Sequence, residues 1–409
     1  MRGWLRQAAG GLPRQFWFLW TGTLINRLGS FVVLFLSIYL TAERGFSQSQ
    51  AGLILGFYGL GGAIGTLTGG VLTDRWGRRP TMLIAQFGAA ALMLALGLAE
   101  SYLQIAGAAF LLGMFAEAAR PAFSAMMVDI VPEHDRVRAF SLNYWAINLG
   151  FALAAIIAGF AAQVDYLLLF VGDAVSTLVT AIITAIFLAE TRPAGPRRRE
   201  AGPGLGTALR DPVFGVYLLL SLATVMVFLQ HLSTLPISML ADGHSAATYG
   251  AVIAVNGVLI VIGQLFVPRL IQGRDSARVL AVAAVLVGCG FGLVAVARTP
   301  WMYAVTVVIW TLGEMLQSPS NAATVAALSP PGLRGRYQGL NSLSWSAGTA
   351  LAPILGGLIL QEGGDAVLWG GCFVLCVLVA VAQLLAGPAR ARRAARLRAA
   401  QEEIVTVPA

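Results

Sequence analysis

The chain has 409 residues, 57% of them apolar and only 11% charged, and a formal net charge of +8. Soluble domains carry about 25% charged residues, so this composition excludes an ordinary soluble enzyme. It also gives no support to nucleic-acid binding, because the arginines are not interleaved with aromatics on one face.

The charges fall in short clusters between apolar runs long enough to span a bilayer when tilted. Twelve runs are predicted, at 16–42, 48–73, 81–99, 103–131, 138–163, 166–190, 212–240, 247–271, 277–297, 301–329, 336–361 and 367–387. The fold class is therefore all-α, a polytopic membrane protein of twelve transmembrane helices. All 27 basic residues are arginine, and their distribution sets the orientation. With residues 1–15 in the cytoplasm, cytoplasmic stretches hold all but four of them. Arg44 and Arg298 lie on the opposite side, and Arg27 and Arg120 lie within spans. The positive-inside rule then places both termini in the cytoplasm. No small-residue cleavage site follows the first apolar segment, which is therefore a span and not a signal peptide.

In chain order, span one carries Arg27 near mid-depth, followed by Phe31, Phe35 and Tyr39. After span two comes "GGVLTDRWGRRP", Gly69–Pro80, which packs one Asp and three Arg into its last seven residues. Span four carries Glu117 and Arg120 on one helix face, where they either neutralise each other or take part in transport. Asp129, at the end of span four, is a natural partner for Arg78. Tyr144 and Trp145 lie on span five. Asp173 lies on span six, about two turns from the outer end, where facing water is the plain reading. The segment 191–211 contains "RPAGPRRREAGPG", whose Pro, Gly and Arg content reads as a cytoplasmic linker between six-helix bundles at 16–190 and 212–387. Span seven carries Gln230 and His231, the latter most simply a hydrogen-bonded core histidine. Span ten carries Trp310 and Glu314 in "WTLGEMLQSPSN", and span eleven carries Trp345. Residues 388–409 form a basic tail. Cys289, Cys372 and Cys376 all lie within spans without an accompanying His, a pattern of packing and not of metal binding.

The two halves are related. A shift of 198 residues aligns 121–172 with 319–370, with fifteen of fifty-two pairs identical. The informative matches are the rarer residues: Pro121 with Pro319, Pro132 with Pro330, Arg136 with Arg334, Arg138 with Arg336, Asn143 with Asn341, and Gln163 with Gln361. Two halves of the same topology imply a parallel repeat about an axis normal to the membrane, with a substrate site between them near the midplane.

Twelve spans, a basic central linker and the loop after span two resemble the major facilitator superfamily over essentially the whole chain. The spacing of Gly70, Asp74, Arg75, Gly77, Arg78 and Arg79 fits its G-x-L-x-D-R-x-G-R-R signature. A finer resemblance is to the twelve-span drug:proton antiporters of the bacterial multidrug-exporter branch. Their G-x-x-x-G-P-x-x-G-G pattern is degraded on span five, where Ala154 and Ala155 replace the Gly-Pro. It is better kept on span eleven, "GTALAPILGG", with Gly348, Pro353, Gly356 and Gly357.

The resemblance implies a central cavity lined by spans one, four, seven and ten. Five of the six ionisable residues at depth fall on these spans: Arg27, Glu117, Arg120, His231 and Glu314, Asp173 being the sixth. Such groups mark a pathway or a paired structural charge. No basic residue lies within a turn of Glu314 in sequence, and a carboxyl in a low-dielectric site tends to hold a proton. Glu314 is therefore the sharpest proton-coupling candidate, with Glu117 second. Arg27, Arg120, Phe31, Tyr144, Trp145, Gln230, His231, Trp310 and Trp345 are candidates to line the cavity, the aromatics through cation–π contacts. Gly70, Asp74, Arg75, Gly77, Arg78, Arg79 and Asp129 form the expected cytoplasmic gate, in which Asp74 meets the start of span eleven near Arg334–Tyr337.

No ATP-binding, catalytic or metal motif has credible spacing. The expectation is a non-enzyme without cofactor that uses a proton gradient. It acts as a monomer in a bacterial cytoplasmic (inner) membrane, with membrane lipid, protons and a small-molecule substrate as partners and no nucleic acid. Proton-coupled efflux of lipophilic or cationic small molecules is the leading reading. A symporter or uniporter for a metabolite, sugar or anionic solute is the alternative, which Arg27 and Arg120 would suit. A non-transporting receptor is disfavoured, because no extramembranous piece is large enough for signalling.

Overall fold

The computed structural model describes residues 10–192, 208, 210–264, 266–330 and 332–406, with side chains described through 399. Arg2 and Arg6 of the N-terminal segment, Arg197, Arg198 and Arg199 of the linker, and the last residues of the tail lie outside the described residues. The described residues are overwhelmingly helical. The helices in order are α1 (Arg14–Leu28), α2 (Phe31–Ile38), α3 (Gln48–Arg75), α4 (Arg78–Leu98), α5 (Tyr102–Ile130), α6 (Arg136–Val164), α7 (Leu167–Phe187), α8 (Pro212–Phe228), α9 (Gln230–Ser233), α10 (Leu235–Ala241), α11 (Ala246–Gly263), α12 (Val267–Ile271), α13 (Ser276–Gly292), α14 (Pro300–Leu328) and α15 (Arg334–Thr406).

Helix starts follow local chemistry. Ser47 with Gln50 and Ser101 with Gln104 form capping boxes on α3 and α5, each satisfying backbone N–H groups that a helix start leaves without partners. Asp211, Asp275 and Thr299 cap α8, α13 and α14 through their side chains.

Among the described residues, ten helical segments are long and apolar enough to cross a membrane, where twelve were expected. Two physical features account for the difference. Arg334–Ala399 counts as one segment, although Gly364 at φ +73° breaks its helix between the expected spans 336–361 and 367–387. Pro300–Leu328 is a 29-residue helix that falls outside the ten because Glu314, Gln317, Ser318, Ser320 and Asn321 dilute its apolar character.

Contacts divide the chain into two compact units. The first comprises the described residues of Met1–Gly195 with Leu232–Val261, and the second those of Pro196–His231 with Ile262–Ala409. In the first unit α3 and α5 pack at backbone distance. A Cβ at Gly61, Gly65 or Gly69 would strike the carbonyls of Phe110, Met114 or Ala118, and one at Gly113 would strike the carbonyl of Tyr58. Small residues permit this approach, and dispersion between the backbones replaces the hydrophobic effect that lipid does not supply. A second close seam joins α6 to α11, with Gly250 over the Ala155 carbonyl and Gly257 against Asn148 and Ala152. Ala155, where the resembled pattern has Pro, thus faces a helix seam.

In the second unit, α13 packs between α14 and α15. Gly290 receives Trp310, Gly288 receives Cys376, and Gly292 receives Phe373. The rings of Trp369, Phe291 and Trp310 stack in sequence, with centroids 6.2 Å and 5.6 Å apart.

Candidate functional site

A cavity of about 490 Å³ lies inside the first unit, walled by α1, α4, α5, α6 and α7 with Tyr58 of α3, a size typical of small-molecule sites. Arg27, Glu117 and Arg120 line it, as does Asp173. Arg120 Nε is 3.1 Å from Glu117 Oε2, and Arg120 is the more open partner at 57% side-chain exposure. Phe18, Phe115, Phe123, Phe140, Met82 and Met93 supply an apolar, deformable wall. Gln86 and Asn143 also line the cavity and are only 8% and 7% exposed. Their amide oxygens have no hydrogen-bond partner among the described residues. A buried acceptor left unpaired costs about 1–3 kcal/mol, so a donor entering the cavity gains by pairing with either.

The structure corrects the reading of Asp173. It does not face water: it is 2% exposed, and its Oδ2 accepts the N–H of Val32 at 3.1 Å. The partner exists because the first apolar run breaks at Gly29–Ser30, freeing the first N–H groups of α2.

The loop signature forms a compact cluster. Arg78 is buried, and its Nε donates to Asp129 Oδ2 at 2.8 Å. Thr191 Oγ1 donates to the same oxygen at 3.0 Å. Gly77 takes φ +114°, and a Cβ there would lie 2.5 Å from Glu190 Oε2. That carboxylate accepts the N–H groups of Arg78 and Arg79 at the start of α4, at 3.0 and 3.1 Å. Partial burial pushes the Glu190 carboxyl upward, but its bonds to the N–H groups of Arg78, Arg192 and Arg79 outweigh this and hold it below the usual range. Arg79 Nη2 donates to the Ala185 carbonyl at 2.5 Å, and Arg192 Nη1 to the Arg75 carbonyl at 2.6 Å. Gly70 has open space beside it, and Asp74 is exposed in the last turn of α3. Sequence reasoning missed Glu190. Its only signal was an acidic residue at the head of an arginine-rich stretch.

Other sequence candidates sit elsewhere. Phe31 is buried over Gly172, and Trp145 stacks on Trp20 at the unit's exterior with centroids 6.4 Å apart. Tyr144 is half-buried on α6. None of these three lines the cavity.

In the second unit, Gln230 Nε2 donates to the Ala352 carbonyl at 3.0 Å, one residue before Pro353. Its Oε1 occupies the space where a Gly356 Cβ would be. Gly348 receives Val225, and Gly357 is buried. His231 Nδ1 lies 2.6 Å from the Phe228 carbonyl, and its ring lies 5.5 Å from that of the fully buried Trp310. Trp345 is exposed, 6.1 Å from Phe228. Glu314 is half-buried one turn beyond Trp310. Asp211 closes this unit: Oδ1 caps α8, while Oδ2 accepts from Tyr337 at 2.9 Å and Arg393 at 2.8 Å.

Comparison with known proteins agrees with this architecture. The Major Facilitator Superfamily profile matches residues 19–342 and 278–407. The MFS-type transporter YqjV of Bacillus subtilis (strain 168) is 24% identical over 85% of this chain and 87% of its own. Multidrug resistance protein MdtH of Enterobacter sp. (strain 638) is 25% identical over 85% of this chain and 87% of its own. The Na(+), Li(+), K(+)/H(+) antiporter of Planococcus maritimus is 24% identical over 78% and 83%. A crystal structure of a POT family transporter with a thioalcohol-conjugated peptide superposes with a TM-score of 0.81 at 15% identity, covering 94% of this chain and 98% of that one. The nucleoside transporter NupG gives 0.76 at 11%, covering 93% and 100%. The profile spans nearly all the described helices, and the fold is that of transporters and not of enzymes. The chain is a multi-pass membrane protein of the major facilitator superfamily.

Proposed function

We propose that this transporter exports lipophilic or cationic small molecules in exchange for protons, by alternating access, from a bacterial inner membrane with both termini cytoplasmic. The observation that carries the reading is the composition of the cavity in the first unit. Carboxylates Glu117 and Asp173 offset Arg27 and Arg120 there, and the acceptors Gln86 and Asn143 stand with them inside an aromatic and methionine wall. Acceptors and an apolar wall together suit an amphiphilic cation bearing N–H donors. The names of two relatives, a multidrug resistance protein and a cation/proton antiporter, agree with it.

Glu314 and Glu117 are the coupling carboxylates in this reading. The Arg78–Asp129 and Glu190 cluster, with Asp74 beside it, serves as the cytoplasmic gate. A second reading, symport of an anionic solute, is favoured by one observation: Arg120 is the exposed member of its pair. Purified monomer in liposomes with an imposed pH gradient tests both. Internal pH and uptake of rhodamine 6G are followed together. Gradient-driven dye exchange that is lost in Glu314→Gln and Glu117→Gln supports export. Dye flux that ignores the gradient overturns it, and stimulation by anionic peptides alone selects the second reading.

A further inference from the structure

Asp173 belongs to no recognised motif of the sequence, and its surroundings are unusually specific. The break between α1 and α2 is seated on α7, with Gly150 of α6 close against Arg27 and Leu28. Gly29 lies where a Cβ would strike Ser176, and Phe31 lies over Gly172. Asn26 Nδ2 donates to Thr177 Oγ1 at 3.1 Å, and Thr180 Oγ1 donates to the Gly22 carbonyl at 3.1 Å. In the middle of this seam the Asp173 carboxylate accepts the Val32 N–H. The bond is charge-assisted when the carboxylate is ionised, and the carboxylate stands at the start of α2.

The second unit breaks its helix at a similar point, between α8 and α9, where Gln230 and His231 make hydrogen-bond contacts. Gln230 donates to Ala352, and His231 lies against the Phe228 carbonyl. The position 198 residues after Asp173 is Gly371.

The charged and titratable groups that share the cavity with Asp173 are Arg27 of α1, Tyr58 of α3, and Glu117 and Arg120 of α5. The walls from α4 and α6 contribute neutral Gln86 and Asn143. Two arginines and two carboxylates cancel. A proton on Asp173 or an organic cation beside it raises the cavity by the same single charge, and both together raise it by two. Like charges in a low-dielectric pocket repel strongly, so each occupant disfavours the other.

We infer that Asp173 is a proton-binding site of the transport cycle, and that its protonation state sets the bend between α1 and α2. When Asp173 is ionised, the carboxylate holds the start of α2 and an arriving cation raises the cavity by a single charge instead of two. When a proton from water binds Oδ2, the charge-assisted bond to Val32 is lost, and the bend relaxes as the cation leaves. The inference rests on the proton-coupled reading above and adds a residue and a moving part to it.

Infrared difference spectra on acidification test the site without any gradient, with tetraphenylphosphonium as the cation probe. The expected result is a carbonyl band of a protonated carboxyl that tetraphenylphosphonium abolishes. It is missing in Asp173→Asn, shifted in Asp173→Glu, and retained in Glu117→Gln and Glu314→Gln. In liposomes, tetraphenylphosphonium exchange by Asp173→Asn runs at equal rates with and without a pH gradient. Monodisperse elution and the Asp173→Glu spectrum guard against misfolding. A set of tetraphenylphosphonium-sensitive carboxyl bands in Asp173→Asn identical to that of wild type, or gradient-stimulated exchange equal to wild type in that variant, overturns the inference. If wild-type flux ignores the gradient while the band still maps to Asp173, export coupling fails and the proton site stands.

Discussion

Glu190 lies against the bare α-carbon of Gly77, its two oxygens accepting the N–H groups of Arg78 and Arg79 that open α4. A residue 112 positions along the chain thus supplies the cap that the loop itself lacks.

Gly77→Ala meets two obstacles at once, a left-handed φ of +114° and a Cβ placed 2.5 Å from Glu190 Oε2. The expected cost is about 1–3 kcal/mol. Thermal unfolding in detergent reads it, and an unchanged midpoint would show that the carboxylate moves aside freely.

The Glu190 carboxyl is held below its ordinary range in the folded chain. Its contribution is therefore fully present above the unfolded glutamate pKa of about 4.3 and is lost as pH falls through the lower folded value. Unfolding midpoints of wild type and Glu190→Gln, taken across pH, should differ at neutrality and converge in acid. A constant difference would place the effect in packing and not in charge.

Buried Arg78 pairs at 2.8 Å with Asp129, whose side chain is partly open to solvent. Leaving a buried charged group without its partner costs about 1–3 kcal/mol or more, so Asp129→Leu, which strands the buried Arg78, should destabilise more than the double variant with Arg78→Leu. Equal destabilisation in a double-mutant cycle would mean the two groups are not coupled. Asp74→Asn, beside them but exposed, is expected to lose transport while insertion and expression stay near wild type, as radiolabelled uptake and membrane blots would read.

Two glycines of α15 should separate cleanly. A methyl at Gly356 collides with the amide of Gln230, whereas Gly371 has open space. Gly356→Ala is expected to cost about 1–3 kcal/mol by overpacking, while Gly371→Ala gains up to about 1 kcal/mol of helix propensity. Detergent melting curves of the two variants, measured side by side, give the comparison.

What the sequence disclosed follows from the range of the physics involved. Apolar runs and arginine clusters are local, so the helices and the Arg78–Asp129 pairing were legible. Asp173 and Glu190 were not, because each caps backbone N–H groups on a distant helix, and no periodicity records a partner more than a hundred residues away. The break at Gly29–Ser30 was hidden for the same reason: it depends on α7 offering Ser176, Gly172 and a carboxylate at one height. Phe31, Tyr144 and Trp145 were chosen by residue type, and which face each presents depends on packing that residue type does not encode. The expected final spans meet at Gly364, whose non-helical backbone separates two helices that follow each other without an intervening loop.

The Asp211–Arg393 bond has a bearing on biosynthesis. Asp211 opens the second unit, yet its guanidinium partner emerges 182 residues later. Until then a carboxylate at the head of α8 awaits its counter-charge while the intervening helices are made. Closure of this unit therefore waits for α15, and in a chain halted before Arg393 the capped start of α8 still lacks that guanidinium, however many apolar segments have already been inserted.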